Sequence, residues 1–324
     1  MENIDFCDGA SFSIDLLPSG RRTRLGAVND EQPRIASTAY FIARCLLVAS
    51  HEPRYAALCS AGVGERCRRL VATAGGAWFV RAAKRRWFRS AFQIAVNFFL
   101  PGIIAHYLAR KRCLEDWLRG SDCRQVVVLG AGLDTLAWRL SGELPGVRFL
   151  EVDRPAALRI KARAVGGKTS SDWVLLPADL DREPLARVLA KDRAFDPVAL
   201  TLFVAEGLSM YLPPARVRSL LGKMAGSGGP RVLALSFMEA RTDGRIAFRH
   251  SHGLVDRWLR WQGEPFRWSL PPGGAAAFLA DAGWHLREPV GPDILRDRYL
   301  TPAGLRDAPL AAGEWLVLAQ NFSP

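Results

Sequence analysis

Long apolar runs, closely paired cysteines and a leader-type N-terminus are all missing from this chain. No run of 18 uninterrupted apolar residues occurs in its 324 residues, so a simple transmembrane span is not expected. The opening segment, MENIDFCDGASFSIDLL, carries acids where a signal peptide needs bases, and it has no long apolar core. We therefore expect no secretion signal and a cytoplasmic location.

The cysteines are few and are confined to the first 123 residues. None of the six forms a C-x-x-C pair, and no histidine cluster accompanies them. Structural zinc sites need closely spaced thiolates, so we expect reduced structural thiols and no metal site. The six are Cys7, Cys45, Cys59, Cys67, Cys113 and Cys123.

Acidic residues are scarce in one stretch of an otherwise ordinary composition. The chain is 49% hydrophobic and 23% charged, with a net charge of +12, which is typical of a globular protein of one large or two small domains. Residues 64–112 contain eleven Lys or Arg and a single acid, Glu65. This stretch carries +10 of the charge, so the positive charge is a local feature.

The same basic stretch contains an amphipathic pattern. Between residues 87 and 100 the polar side chains Arg89, Gln93 and Asn97 recur every fourth position, which predicts a helix with one polar face. A break at Pro101-Gly102 and a second helix from 103 to 118 follow. Residues 81–109 either form a lid helix packed on the rest of the protein or contact a membrane or an acyl chain. Nucleic-acid binding is not expected, because no recognition motif is present and the apolar face is expected to pack.

From residue 124 onward, short apolar runs alternate with helix-length segments. This rhythm predicts right-handed βαβ units and a mostly parallel sheet in an α/β fold. The seven predicted strands are 125–129, 147–152, 173–177, 200–205, 231–237, 284–286 and 314–319.

Acidic residues follow the ends of the first four predicted strands. Ligands of an open parallel sheet bind beyond the carboxyl ends of its strands, and two glycines at the first end allow a ligand to approach the backbone. Four acids at one edge favour a positively charged nucleoside and disfavour a phosphate. Taken singly, the glycines are also compatible with a tight turn, Asp179 with a helix cap and Glu206 with a solvated loop. The residues concerned are Gly130, Ala131, Gly132, Asp134, Glu151, Asp153, Asp179 and Glu206.

These motifs resemble those of the leucine carboxyl methyltransferase family, including its bacterial branch of natural-product O-methyltransferases. The specific part of the resemblance runs from 125 to 212. Its motifs are QVVVLGAGLDT from Gln125, EVDRP from Glu151, ADL from Ala178 and AEGLSMYL from Ala205. Leu136 departs from many bacterial relatives, which carry Arg at that position. The resemblance implies S-adenosyl-L-methionine as cofactor and a class I, Rossmann-like methyltransferase fold with an N-terminal helical lid.

The resemblance also implies roles for individual residues. Asp153 would hold the ribose hydroxyls, with Glu151 as the fallback, and Asp179 with Leu180 would hold the adenine. Glu206 would bind the α-amino group of the cofactor. The remaining implied positions are Arg44 and Arg110 at the cofactor carboxylate, Tyr211 near the transferred methyl group, and Gly130, Ala131, Gly132 and Asp134 along the methionine part.

The acceptor is predicted to be a small natural product that is methylated on oxygen. A carboxylate acceptor needs no general base, whereas a hydroxyl would need one, and His250 or His252 is then the candidate. Both histidines lie in residues 240–270, an aromatic-rich insertion expected to form a substrate wall. The alternatives are a peptide or protein C-terminal carboxylate as acceptor, and a non-catalytic binding role. The predicted division is an arm at 1–33, a helical lid at 34–123 and a cofactor domain at 124–324. No oligomeric state is predicted.

Overall fold

The computed structural model describes residues 36–167, 171–180 and 182–322. Twelve α-helices and eight strands lie in these ranges. The helices are α1 (Ser37–Ala49), α2 (Val63–Val71), α3 (Ala77–Ala82), α4 (Arg86–Phe99), α5 (Ile103–Arg119), α6 (Leu136–Glu143), α7 (Pro155–Val165), α8 (Leu185–Leu189), α9 (Pro214–Ala225), α10 (Gly253–Gln262), α11 (Ala275–Asp281) and α12 (Pro292–Leu295). The strands are β1 (Gln125–Leu129), β2 (Arg148–Asp153), β3 (Trp173–Pro177), β4 (Thr201–Ala205), β5 (Arg231–Glu239), β6 (Ser269–Leu270), β7 (His285–Val290) and β8 (Glu314–Gln320).

One sheet organises the fold, with the strand order β3-β2-β1-β4-β5-β8-β7 and the short β6 paired to β5. The pairs among β1 to β5 are parallel, with Gln125 opposite both Arg148 and Thr201, whereas β8 runs antiparallel to both of its neighbours. Every residue of β1, β4 and β5 is buried. Helices must therefore cover both faces of the central strands, which explains why most residues of these strands are apolar.

The predicted α/β fold with a mostly parallel sheet is confirmed. All seven predicted strands are present. Two have the predicted bounds, and the ends of the other five differ by at most four residues. The additional strand, β6, is only two residues long and pairs with Met238 and Glu239 at the end of β5. It lies inside the predicted insertion at 240–270, which also contains α10.

The five helices α1 to α5 all precede the first strand. By their contacts, the described residues form one compact unit, and the domain boundary between 123 and 124 stays a prediction. The predicted arm at 1–33 lies outside the described residues. Helix α5 is almost entirely buried, and it therefore belongs to the protein core as much as the sheet does.

Helix α4 does not have the orientation that its sequence predicts. Gln93, on the predicted polar face, is buried, and Arg89 forms an ion pair with Glu52 at 2.6 Å. The apolar side chains of Trp87, Ile94 and Phe98 are exposed instead. The expectation that the whole apolar face packs was wrong, because Glu52 and Arg54, in the segment after α1, form partly buried polar contacts that hold the polar face inward.

No single helix among the described residues is long and apolar enough to cross a membrane. The pair α4 and α5 meets the length and composition criteria together, but the two helices are bent by 89° at the break between them. Five of the six cysteines lie in the described ranges, and all five are free thiols. Burial raises the pKa of Cys67 and Cys113 to about 12, which makes both thiols unreactive.

The break between α4 and α5 depends on Gly102, which has a φ of +74°. A Cβ there would lie 2.6 Å from the Cα of Leu310 and would collide with the Pro309–Leu310 backbone. We expect Gly102→Ala to lower the free energy of unfolding by about 3 kcal/mol or more, from the left-handed backbone and the collision together. Gly263→Ala is the control, because Gly263 has a φ of +77° but open space around it. Urea unfolding of both variants measures the difference, and equal losses would contradict the packing argument.

Candidate active site

The loop after β1 brings the backbone close to the end of β2. Gly130 and Gly132 have φ values of +66° and +45°, and the N–H of Gly132 donates to Asp153 Oδ2 at 2.6 Å. A Cβ on Gly132 would lie 3.2 Å from the Cβ of Ala39 in α1. The loop therefore needs glycine both for its conformation and for the close approach of α1.

Asp153 and Glu151 occupy different environments although they are two residues apart on β2. The carboxylate of Asp153 is at the strand end, next to the glycine loop. Glu151 is fully buried and forms an ion pair with Lys161 at 2.9 Å. Lys161 in turn donates to the carbonyl of Ala131 at 3.2 Å. The geometry thus favours Asp153 for the ribose hydroxyls and gives Glu151 a role in holding the loop.

Four elements meet in a chain of buried charges at the carboxyl edge of the sheet. Arg110 of α5 pairs with both Glu206, after β4, and Glu314, at the start of β8. Lys111 pairs with Glu206 and, at 2.9 Å, with Asp134 in the loop after β1. The resemblance placed Arg110, Asp134 and Glu206 in one site, and the structure brings the three together.

The charges in this chain stabilise one another against burial. Burial alone would raise the pKa of Glu314, but the adjacent Arg110 guanidinium lowers that pKa to about 2. Likewise burial opposes ionisation of Asp134, yet Lys111 lowers its pKa to about 2. His106 adds a further contact, with its Nε2 2.8 Å from Glu314 Oε2. Glu314 and Asp134 are therefore ionised at neutral pH, and the ion pairs of Arg110 hold α5 against β8.

The predicted adenine residues lie at the end of β3, beside Asp153. The N–H of Ala178 donates to the carbonyl of Asp153 at 2.9 Å. The side chain of Asp179 is 38% exposed and lies 3.7 Å from Arg182. Leu180 is partly buried, and its carbonyl accepts from Arg216 at 3.1 Å. Asp179 and Asp153 therefore border the same edge of the sheet, and the adenine assignment stays a prediction.

Arg44 lies on α1 in an aromatic environment. It is buried, with its guanidinium carbon 4.2 Å from the ring centre of Tyr40 and 4.8 Å from that of Phe79. Such stacking favours a cation. Pairing of Arg44 with a cofactor carboxylate stays a prediction.

Tyr211 lies where the insertion meets α1. Its ring centre is 5.5 Å from that of Phe266, and burial raises the pKa of its hydroxyl, with Thr38 beside it. Glu264 accepts from the backbone N–H groups of Ser37 at 2.6 Å and Thr38 at 3.0 Å. A carboxylate at the start of α1 is favourable for the helix dipole. The insertion therefore fixes α1 over the site.

The two candidate bases lie on the protein surface. His250 is exposed and has a φ of +63°. His252 is also exposed, and its Nδ1 accepts the N–H of Leu254 at 3.2 Å, so it caps α10. Its ring stacks on Phe98, 5.8 Å away between ring centres. The described side-chain contacts of His252 are thus a helix cap and ring contacts with α4.

Sequence reasoning missed Glu314, His106 and Glu264. Glu314 is a charged residue at the head of an otherwise buried strand, and His106 lies one helical turn before Arg110 on α5. These are signals of a buried polar network, since buried charges require partners. Glu264 carries no such local signal, because its partners are more than 220 residues away in the chain.

The sheet order and the acids at the strand ends define a class I methyltransferase fold with a nucleoside site. The family profile for leucine carboxyl methyltransferase matches residues 61–225. The chain belongs to the leucine carboxyl methyltransferase family, and it is an S-adenosyl-L-methionine-dependent methyltransferase.

Individual relatives agree with this assignment. A protein of Saccharopolyspora erythraea described as an S-adenosyl-L-methionine-dependent methyltransferase is 37% identical over 223 residues, covering 65% of this chain and 74% of the relative. A similarly described protein of Frankia alni is 34% identical over 217 residues, covering 65% of this chain and 62% of the relative. A methyltransferase crystal structure from Thermobifida fusca has a TM-score of 0.53 at 18% identity, covering 79% and 94% of the two chains. It shows the same fold.

The residues present fit a cationic nucleoside cofactor. Gly132 has no side chain, so the backbone next to Asp153 stays open to a ligand. A Cβ at this position would lie 4.0 Å from Asp153 Oδ2 and 3.2 Å from the Cβ of Ala39. The Arg110–Glu206 pair offers one cation and one anion, which complement the carboxylate and the ammonium group of a methionine moiety. Acids at the ends of β2 and β4 suit ribose hydroxyls and an ammonium group.

Two isosteric variants separate the roles of the β2 carboxylates. We expect Asp153→Asn to weaken S-adenosyl-L-methionine binding by about tenfold to a hundredfold, because charged hydrogen bonds to hydroxyls are lost. Glu151→Gln should leave affinity nearly unchanged but should lower the free energy of unfolding by about 3 kcal/mol, since Lys161 loses its buried partner. Titration calorimetry and urea unfolding measure the two effects. The reverse pattern would make Glu151 the ribose ligand.

The acid network gives a pH signature. The pKa of Glu314 is lowered from 4.5 to about 2 in the folded protein, so its stabilisation is complete above pH 4.5 and is lost as the pH falls toward 2. This loss amounts to about 3 kcal/mol. We expect Glu314→Gln to be less stable at pH 7 and to lose less stability on acidification. Urea unfolding from pH 7 to 2.5 tests this, with the exposed Glu65→Gln as control. Parallel curves for wild type and Glu314→Gln would contradict it.

Proposed function

We propose that this enzyme transfers a methyl group to a carboxylate of a small natural-product acceptor and forms a methyl ester. The same site is compatible with methylation of a hydroxyl group, which we rank second. The observation that carries the proposal is a cleft in the insertion, next to the ring that packs on Tyr211.

The cleft has a volume of about 190 Å³ and combines an apolar wall with two arginines and one carboxylate, so its lining carries a net positive charge. Phe266 forms part of the wall, and its ring is in contact with Tyr211. An acceptor with an apolar body and a negatively charged end matches this lining. The volume favours a small molecule over a peptide, which would need a longer open channel. The lining residues are Arg245, Ile246, Asp256, Leu259, Arg260, Pro265 and Phe266.

The surroundings of Tyr211 also favour an acceptor that is already ionised. Burial raises the pKa of the Tyr211 hydroxyl, so at neutral pH it is a phenol and not a base. His250 and His252 are exposed, and His252 is engaged as a helix cap. A carboxylate needs no proton removed before it attacks, whereas a hydroxyl does. This supports ester formation over ether formation.

The proposed binding roles follow from the charges at the sheet edge. Asp153 would hold the ribose hydroxyls, Asp179 with Leu180 the adenine, and Glu206 the ammonium group. Arg110, with Arg44, would hold the cofactor carboxylate. When bound, the cofactor supplies an electrophilic methyl group on a sulfonium.

The chain's own residues would align the acceptor and exclude water. Tyr211 and Phe266 would form the apolar wall on which the acceptor rests. Glu264 would keep α1 closed over the site through its bonds to Ser37 and Thr38. Alignment and a dry site are the main protein contributions to a single displacement of this kind.

The proposal is tested with S-adenosyl-L-methionine labelled in its methyl group and a panel of aromatic and fatty acids beside matched phenols and alcohols. Products are treated with mild base. We expect the label to be released as volatile methanol, which identifies a methyl ester. Arg245→Ala and Arg260→Ala should each raise the acceptor KM by about tenfold, because a charge-assisted contact is lost. Arg187→Ala, on α8 away from the cleft lining, is the control.

The histidines distinguish the two acceptor types. With a carboxylate acceptor, His250→Ala and His252→Ala should keep kcat within about threefold of wild type, because no base is required. Base-stable label together with a large loss of kcat in either variant would replace the ester proposal with hydroxyl methylation. Methylation of peptide C-termini alone would contradict the small-molecule assignment.

A further inference from the structure

Exposed apolar side chains are concentrated on one part of the protein. Eight large hydrophobic side chains are exposed among the described residues, and six of them lie in α3, α4 and α10. Monomeric proteins seldom leave such a concentration without a partner. The six are Trp78, Trp87, Ile94, Phe98, Leu254 and Trp261.

Helix α4 presents a continuous apolar stripe to the outside. Trp87, Ile94 and Phe98 are 68%, 71% and 67% exposed, and their spacing of seven and four residues places them on one helix face. The opposite face is held inward by Gln93, which accepts from Arg54, and by the Arg89–Glu52 ion pair. The outward direction of the stripe is thus set by specific, partly buried polar contacts.

Helix α10 extends this stripe. His252, at its start, stacks on Phe98 and donates its backbone N–H to the carbonyl of Phe99 at 2.9 Å. Leu254, two residues after His252, is exposed, and Trp261, 73% exposed, lies two turns further along the same face. We call the exposed side chains of α3, α4 and α10 the α4–α10 surface.

Four exposed cations border the apolar stripe at the start of α4: Arg81, Lys84, Arg85 and Arg86. No ion pair joins them to the part of the chain that the structure describes. Cations at a helix N-terminus oppose the helix dipole, and α4 has no acid in its first turn. The cluster therefore does not stabilise the helix, and its charge is available to an anionic partner.

We infer that the α4–α10 surface docks the enzyme on an anionic lipid bilayer. Exposed tryptophans beside an apolar stripe, with arginines and lysine at its edge, match the interface between acyl chains and charged headgroups. The apolar side chains would enter the bilayer, while the four cations would contact lipid phosphates. A second copy of this chain would bring the two basic clusters together, which charge repulsion opposes.

The test is co-sedimentation of the full chain with vesicles of phosphatidylcholine alone or with one third phosphatidylglycerol. We expect the protein to bind the anionic vesicles. This binding should weaken as salt rises from 50 to 500 mM, because the Debye length shortens and the attraction between the cations and the lipid phosphates is screened. The triple variant Trp87→Ser, Ile94→Ser, Phe98→Ser should reduce partitioning by at least about tenfold. Its control is the pair Val198→Ser and Ile294→Ser, which removes exposed apolar side chains elsewhere.

A charge variant tests the electrostatic contribution separately. The triple substitution Lys84→Gln, Arg85→Gln, Arg86→Gln should abolish vesicle binding at low salt. Its thermal unfolding midpoint should equal that of wild type. Light scattering of the free protein measures its oligomeric state. Failure of wild type to bind anionic vesicles at 50 mM salt would overturn the inference, as would equal binding by the triple variant. A dimer in solution that the triple variant dissociates would assign the surface to a second copy instead.

Discussion

The buried ion pair between Arg110 and its two glutamates is the interaction on which the site depends. Burying a charge is costly unless it is paired, and Arg110 is buried together with Glu206 and Glu314. The pair joins α5 to the loop after β4 and to the antiparallel strand β8. Because all three charges must stay together, the position of α5 relative to the sheet is fixed.

The rest of the site is arranged around this fixed helix. Lys111, the next residue of α5, reaches Asp134 and so ties the glycine loop to the same network. On the side of the proposed acceptor cleft, Glu264 ties α1 to the insertion, and Tyr211 contacts Phe266 of the same insertion. In the proposed function, the acceptor cleft lined by Phe266 would lie beside Tyr211, as a single displacement between two bound molecules requires.

The sheet could be predicted because its signals are local. In the run 125–129, four apolar residues, three of them β-branched, follow Gln125, and Gly130 comes directly after the run. The local sequence therefore indicates a strand. The direction of α4 could not be predicted in this way. Its inward face is decided by Glu52 and Arg54, which lie 37 and 39 residues away from their partners in the chain. A helical period shows that one face of a helix is polar and the other apolar, but it does not show which face packs against the rest of the protein.

The sequence by itself determined the α/β class, the family and the gathering of acids at one sheet edge, because parallel strands bring their carboxyl ends together. Tertiary structure decided which of these acids can contact a ligand at the sheet edge. Glu151 and Asp153 point to the same side of β2, yet one lies inside the core against Lys161 and the other at the strand end beside Gly132. The two carboxylates therefore differ in burial. Burial depends on which elements pack against each side chain in the folded protein, and the position of a residue in the sequence does not determine it.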